Sequence, residues 1–444
     1  MSALSMICCA FDDTDSLQGG CTTYVAAQLV ETLLKEGAKF VDYPNLIRLN
    51  PNIPFKTRGN GAVCLRLNSQ SITKQKVLEL AQNAIDSNYE KPFKNTNPGL
   101  VVYSQSITNE VQAFSHWALT DVCTIKSAKQ LAEKQNMDYI LWDNGRGIIG
   151  ALAAIGNSLE RDHTFELLAF RSNEYWATPR KVDVQSVFDM DRKTYPMTFN
   201  NVDEESQKSL ITPQGPDPVL FGIRGENPQI VYKAHNQIRL NEPIERWVIF
   251  RTNQGTDAHF THEQQIADLR PYIPAILRGN VITLPRTIPG GHVFFDLEDL
   301  SGTIPCAAYE PSGKLRNVVR ALLIGDKIKV FGGTRPSTIH HPMTLNLEKL
   351  TILELVPQVE YLNPVCSECG KRMKSAGKGK GYKCKCGRKL RNTTKICQIK
   401  ARNIAEGTYY PPPRSVRHLA KPPQRIGCEK NKKPEKFMEP WHGP

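Results

Sequence analysis

Asp12, Asp13 and Asp15 put three carboxylates within four residues, directly after the apolar run at residues 6–11. Charges so close repel one another, so the loop is favourable only with a cation among them. Mg2+ takes one or two carboxylates together with phosphate oxygens and is the natural candidate. An acidic loop set against the positive end of the following helix is the plainer alternative. Gly19, Gly20, Thr22 and Thr23 come next, so backbone N–H groups and hydroxyls converge where a helix begins, as in a phosphate site. The Walker pattern GxxxxGK[ST] is absent. A second loop, Lys56-Thr57-Arg58-Gly59-Asn60-Gly61, offers cations and a bare backbone to the same phosphates. Carboxylates for a metal and a Lys/Arg–Gly loop for phosphate are the parts that phosphoryl transfer requires.

Two further patterns carry chemistry. Gly145-Arg146-Gly147-Ile148-Ile149-Gly150 is a literal GxGxxG, with Glu166 about where a ribose-binding acid would follow. It lies mid-chain and includes an arginine that a dinucleotide turn does not need. A second backbone contact to ATP, or tight helix packing, is the better reading. Cys366-x2-Cys369 and Cys384-x-Cys386 form two knuckles joined by the glycine-rich GKGKGY segment. Four thiolates at that spacing can close a tetrahedral Zn2+ site, with no open position for catalysis.

The elements that must position these residues follow from hydrophobic periodicity. Residues 6–11 read as a buried strand. From Thr22 to about Lys35 the apolar positions Val25, Ala26, Leu29, Val30, Leu33 and Leu34 line one face of a helix that Gly37 ends. Strands are expected at 46–49, 61–67, 100–103, 138–142 and 165–171, with helices at 127–135 and 148–155. This alternation indicates α/β or ferredoxin-like layering. The polar stretches 68–98 and 172–215 carry no clear pattern. From residue 281 to 355, short strands recur between Gly and Pro turns with one helical insert at 314–323. Polar Lys327 and Lys329 alternate with apolar Ile328 and Val330 there. The pattern matches a five-stranded OB-fold barrel, which grips oligonucleotides on one face; a barrel that binds nothing is the alternative.

The bulk numbers bound the function. The chain has 444 residues and a net charge of +13. Residues 361–444 hold 21 Lys and Arg against 5 Asp and Glu, so they carry +16 and the other 360 residues carry −3. Charge so concentrated is the footprint of a polyanion-binding module, with a solvated charge run as the alternative. Cys8, Cys9, Cys21, Cys64, Cys123, Cys306, Cys397 and Cys428 are scattered like reduced thiols. No apolar run reaches the ~20 residues that span a bilayer, and the N-terminus lacks the basic region of a signal peptide. A cytoplasmic location is expected. A non-catalytic single-strand-binding protein would need only the barrel and the ribbon, but it leaves the DDTD and KTRGNG loops without a purpose.

FDDTDSLQGGCTTY, RLNPNIPFKTRGNGAV, GRGIIGALAAIG, PVLFGIRGENP, the barrel segment, the cysteine knuckles and PPPRSVRHLAKP occur in the order found in the archaeal agmatidine synthetases (2-agmatinylcytidine synthetases), and the chain resembles that family over nearly its whole length. The resemblance implies a multidomain α+β protein. Its parts would be an ATP-binding kinase-like α/β domain (1–115), a ferredoxin-like domain (116–240), an OB-fold (241–358), and a zinc ribbon with a basic tail (359–444). It implies ATP-dependent joining of agmatine to C2 of the wobble cytidine of the minor isoleucine tRNA with a CAU anticodon, with ATP converted to AMP and phosphate. By motif match, Asp12, Asp13 and Asp15 would hold metal and Thr22 would be autophosphorylated. Gly19, Gly20, Thr23, Lys56, Arg58, Gly59, Gly61, Gly145, Arg146 and Gly147 would contact ATP. Agmatine is a dication that needs carboxylates or carbonyls, for which Asp217 and Glu226 are the candidates.

Overall fold

The computed structural model describes residues 6–57, 59–89, 93, 95–432 and 437–444. Its first layer builds in chain order from β1 (Met6–Asp12), α1 (Thr22–Lys35), β2 (Asn45–Arg48), β3 (Gly61–Asn68), α2 (Lys74–Asn88) and β4 (Gly99–Tyr103). It continues through α3 (Asn109–Thr120), α4 (Ile125–Lys134), β5 (Asp138–Leu141) and α5 (Ile148–Gly156). Then come β6 (Thr164–Arg171), α6 (Val184–Thr194), β7 (Thr198–Phe199), the hairpin β8 (Val202–Asp203) and β9 (Lys208–Ser209), β10 (Val219–Gly225), α7 (Pro228–His235) and β11 (Ile244–Thr252).

One sheet runs through both halves, in the order β5-β4-β1-β3-β2-β11-β6-β10-β7. Its strands pair antiparallel except where β2 meets β11, with Asn45 opposite Arg251 and Leu46 opposite Thr252. Two cores, one on each face of the sheet, explain why β1 is apolar from Met6 to Phe11. Cys9 and Phe11 face one core with α1 and α2, while Cys8 and Ala10 face another with α3 and α5. The half-sheets are also tied by the buried pair Arg251 Nη2–Asp42 Oδ2 at 2.6 Å. Removing one partner of such a pair costs ~3–5 kcal/mol, because the other charge is left stranded.

Two helices lie in stretches that read only as polar. In α2, Val77, Leu80, Ala81 and Ile85 are buried on one stripe and Thr73 caps the start through its oxygen. In α6, the Asp183 carboxylate caps the first amides. Each buries one stripe only, and polar residues outnumber it. The chain leaves the first sheet only after β11, so residues 244–252 belong there and not with the barrel expected from residue 241. The division expected at 115/116 falls inside α3, whose Val111, Phe114 and Ala118 pack into the core that Cys8 and Ala10 face.

The second layer is a closed barrel of β12 (Pro274–Val281), β14 (Val293–Asp299), β15 (Gly302–Ala308), β16 (Lys327–Arg335) and β17 (Thr344–Glu354), with β13 (Arg286–Thr287) at its edge and α8 (Lys314–Arg320) between β15 and β16. The strand order is β12-β16-β17-β15-β14, and β14 pairs back to β12. Beyond it, three two-residue strands carry the cysteine knuckles. The tail then returns to the body. His442 and Gly443 pair with β11, while Trp441 and Phe437 pack on Tyr43. Among the described residues no helix is long and apolar enough to cross a membrane.

Candidate functional site

The acidic loop leaves the carboxyl end of β1, and the start of α5 lies directly across it. Glycine is what permits that approach. A Cβ at Gly147 would stand 2.4 Å from the Asp12 carbonyl oxygen, and one at Gly150 would stand 1.9 Å from Asp12 Oδ2. The GRGIIG pattern therefore serves close packing of a helix on a strand end. β5 is an edge strand and the strand after α5 lies in the other half-sheet, so the unit is not a dinucleotide βαβ fold. Gly150→Ala is expected to displace the Asp12 carboxylate and lower ATP cleavage ~10–100-fold, while overpacking costs only ~1–3 kcal/mol of stability. Thermal unfolding beside an ATP-cleavage assay separates the two effects.

The chain then turns sharply. Asp13 adopts φ 62° and Gly20 φ 69°. Ser16 Oγ accepts from the amides of Gln18 and Gly19, at 3.0 and 3.1 Å. Thr22 is the first residue of α1 and its hydroxyl accepts from Thr14 Oγ1 at 3.0 Å. The N-cap position belongs to Cys21 without a side-chain cap, so neither Thr22 nor Thr23 caps the helix. Tyr24 and Val25 already donate their amides to the Cys21 carbonyl at 3.0 and 3.1 Å, so Thr22 and Thr23 are the first-turn residues whose amides have no acceptor within the helix. Arg146 Nη2 donates to Asp13 Oδ2 at 3.1 Å and to the Asn95 carbonyl at 3.0 Å. Desolvation, and then the neighbouring Asp13 charge, push the Asp12 carboxyl well above its usual range. Desolvation also outweighs Arg146 at Asp13 and lifts it to about 6.

The opposite wall is cationic. Glu166 accepts from Arg224 Nε at 3.0 Å, lies 3.6 Å from Arg48 Nη2, and accepts from Gln254 Nε2. His418, from the returning tail, has Nδ1 3.0 Å from Gln254 Oε1. Partial burial, then the charges of Arg417 and Arg335, draw the Lys56 ammonium down to about 8, although much of that side chain stays in solvent.

Between these walls lies one cavity of about 430 Å³. Of the residues singled out in the sequence, Asp12, Asp13, Asp15, Thr22, Thr23, Lys56, Gly59, Gly61, Arg146, Gly147 and Asp217 line it. Gly19, Gly20 and Gly145 stand behind the lining as turn residues, Gly145 at φ 67°. Arg58 falls outside the described residues. Asp217 accepts from Arg180 Nη2 at 3.3 Å. Glu226 is elsewhere, holding Arg425 and Lys430 of the tail, so the structure assigns it to anchoring that segment. Arg48, Glu166, Arg224 and His418 also line the cavity. His418 has a signal in PPPRSVRHLAKP, but nothing in the sequence places that segment beside β1.

Two metals can be tested against these donors. The Sγ atoms of Cys366, Cys369, Cys384 and Cys386 lie within 4.8 Å of one another. Cys366–Cys386 is 3.6 Å and Cys369–Cys384 is 3.3 Å, near the ~3.8 Å of a Zn2+ tetrahedron. The backbone N–H groups of Cys369 and Glu368 hold the Cys366 thiol down to about 7. Among the described residues this is the one such group, so Asp12, Asp13 and Asp15 do not by themselves close round an ion. They still fit a hard cation, being oxygen donors whose crowded charge Arg146 offsets only in part.

Comparison with known proteins gives three family matches: TiaS TCKD domain at residues 8–141, TiaS FLD domain at 145–259, and TiaS C-terminal zinc ribbon domain at 363–404. A 2-agmatinylcytidine synthetase TiaS of Staphylothermus marinus, named for the second isoleucine tRNA, is 41% identical over 438 residues, which is 96% of this chain and 95% of the relative. The crystal structure of a TiaS complex with that tRNA and ATP is 38% identical with a TM-score of 0.86, covering 98% of both chains. That of a TiaS complex with the tRNA, AMPCPP and agmatine is 37% identical with a TM-score of 0.83, covering 94% of this chain and 96% of the other.

Proposed function

The chain belongs to the TiaS family of isoleucine-tRNA 2-agmatinylcytidine synthetases, and we propose that the cavity between its acidic and cationic walls is where ATP, agmatine and the target cytidine meet. The enzyme ligates agmatine to C2 of the wobble cytidine of the minor isoleucine tRNA, with ATP converted to AMP and phosphate; the product reads AUA. The observation that carries the placement is the joint lining of one cavity by the DDTD loop, the start of α1, the 56–61 loop, Arg48, Arg224 and His418.

Each wall has a task. Cytosine O2 is a poor leaving group, and phosphorylation makes it a good one. Arg48, Arg224 and Lys56 supply positive charge to the phosphates in transit. Thr22 is the phosphate acceptor on the protein, its hydroxyl held by Thr14. Asp12, Asp13 and Asp15 would hold Mg2+ together with phosphate oxygens, where the ion neutralises charge developing on the phosphoryl group. Asp217 gives the agmatine cations a carboxylate. Phe55 is 59% exposed at the mouth and offers a ring face to a base drawn from the anticodon stack.

The domains follow the same reading: a kinase-like unit through β5, a ferredoxin-like unit through β11, an OB-fold and the zinc ribbon. The barrel's order, its parallel β15–β17 pairing and the helix between β15 and β16 support the OB assignment. The location is cytoplasmic. A binding-only protein would leave this cavity without a role. The test is labelled ATP with Mg2+, tRNA and agmatine: AMP release accompanied by agmatine incorporation into the tRNA supports the reading, and AMP release without incorporation, or no AMP at all, refutes it.

A further inference from the structure

The tail beyond the zinc ribbon crosses back over the cavity and delivers one side chain into it. Its path is fixed on both sides of that residue. Gly255 donates its amide to the His418 carbonyl at 2.8 Å, Asp257 donates to the Leu419 carbonyl at 2.7 Å, and Leu419 is buried. Further on, Arg425 is fully buried between Asp162, at 2.9 and 3.0 Å, and Glu226. An anchor of this kind is more than a loose basic tail requires.

The hydrogen bonds also set which ring nitrogen of His418 faces the cavity. Gln254 Nε2 donates to the Glu166 carboxylate, so the amide oxygen is the atom turned toward His418. An amide oxygen only accepts, so Nδ1 carries the proton. Nε2 is then left with its lone pair, beside the bare backbone of Gly59, where an added Cβ would be 3.0 Å away. His418 is an exposed residue and lines the cavity, although protein surrounds its ring. The charged groups around it are Arg48, Arg224 and Lys56, with Glu166 behind Gln254.

We propose that His418 Nε2 is the proton acceptor for the agmatine amine when it attacks the activated cytidine. The proposal rests on the cavity assignment above. In the step, the amine lone pair forms the N–C2 bond and the C2–O2 bond breaks, its electron pair leaving with the phosphate. The proton that the nitrogen must shed passes to Nε2 and on to the departing phosphate. Positive charge, with Arg48 first, and desolvation keep the imidazole neutral beforehand. A phosphate seated against Arg48 offsets that charge, so the ring becomes able to hold a proton only when the activated base is present.

The test is His418→Asn in the full-length enzyme, since asparagine keeps a donor for Gln254 and removes the basic nitrogen. At saturating ATP and agmatine, agmatine incorporation into tRNA should fall about 100-fold in kcat, within the usual range for a lost general base. Added imidazole should restore much of it. Incorporation within threefold of wild type overturns the proposal. So does a loss that appears only as a raised KM, or one that imidazole does not restore in a variant that melts like wild type. If the wild-type enzyme itself incorporates no agmatine, it is the cavity's function that fails, before any variant is made.

Discussion

Asp12→Asn is expected to lower ATP cleavage ~10³-fold or more, about 4 kcal/mol of barrier, and to eliminate phosphothreonine. Asparagine has the size of aspartate, and Asp12 sits where α5 leaves no spare volume, so the change removes charge with little change in packing. What is lost is the carboxylate at the end of β1 that, with Asp13 and Asp15, is proposed to hold Mg2+ against the phosphates. Thr22→Ala separates the later step: it should stop phosphate incorporation into the protein and slow tRNA modification if the phosphothreonine contributes. A threonine hydroxyl needs a neighbouring base, and the DDTD carboxylates are the nearest acidic group in sequence. Phosphopeptide mapping is the check. Label on Thr23, or label that survives Thr22→Ala, contradicts the assignment.

The affinity for tRNA should fall ~10³-fold or more between about 50 and 200 mM salt, if roughly six phosphates are contacted. The structure narrows the source of that dependence. Part of the +16 of residues 361–444 is spent inside the molecule, where Arg425 pairs with Asp162, Lys430 with Glu226, Arg414 with Asp203 and Arg402 with Asp326. Residues 371–400 hold 12 Lys and Arg and no acid. The ribbon is therefore the expected seat of the phosphate contacts. Replacing Lys371, Lys374, Lys378 and Lys380 by Gln should flatten the slope of log affinity against log salt by ~3. Cys384→Ser should release zinc and weaken tRNA binding, because the ribbon holds these cations in one array. Tight binding with an unchanged slope would move the footprint elsewhere. Loss of tRNA-independent ATP cleavage in Cys384→Ser would mean that zinc does more than hold the fold.

The site is legible in the sequence where chemistry and local geometry coincide. The DDTD loop, α1 and the 56–61 loop are short, adjacent in sequence to the strands that aim them, and rich in residue types with few other uses. GRGIIG is legible as a motif. Only the structure tells its purpose, since the atoms it must clear belong to Asp12, 135–138 residues earlier. The polar stretch 68–98 hides α2 because a surface helix buries only one stripe. Arg48 and Arg224 read as ordinary strand residues and Glu166 only as a ribose-binding candidate; the facing of all three depends on β2 joining β11, a pairing that no local pattern encodes. Glu226 shows the converse: a carboxylate beside a glycine-rich strand invites a ligand, but the tail's Arg425 and Lys430 already take it.

The most direct test of the account is mass spectrometry of nucleosides from the minor isoleucine tRNA after incubation with enzyme, ATP, Mg2+ and agmatine. The wobble cytidine should gain agmatine less one water, and Asp12→Asn should leave it unmodified. Unmodified cytidine with the wild-type enzyme, or full modification with Asp12→Asn, would contradict it.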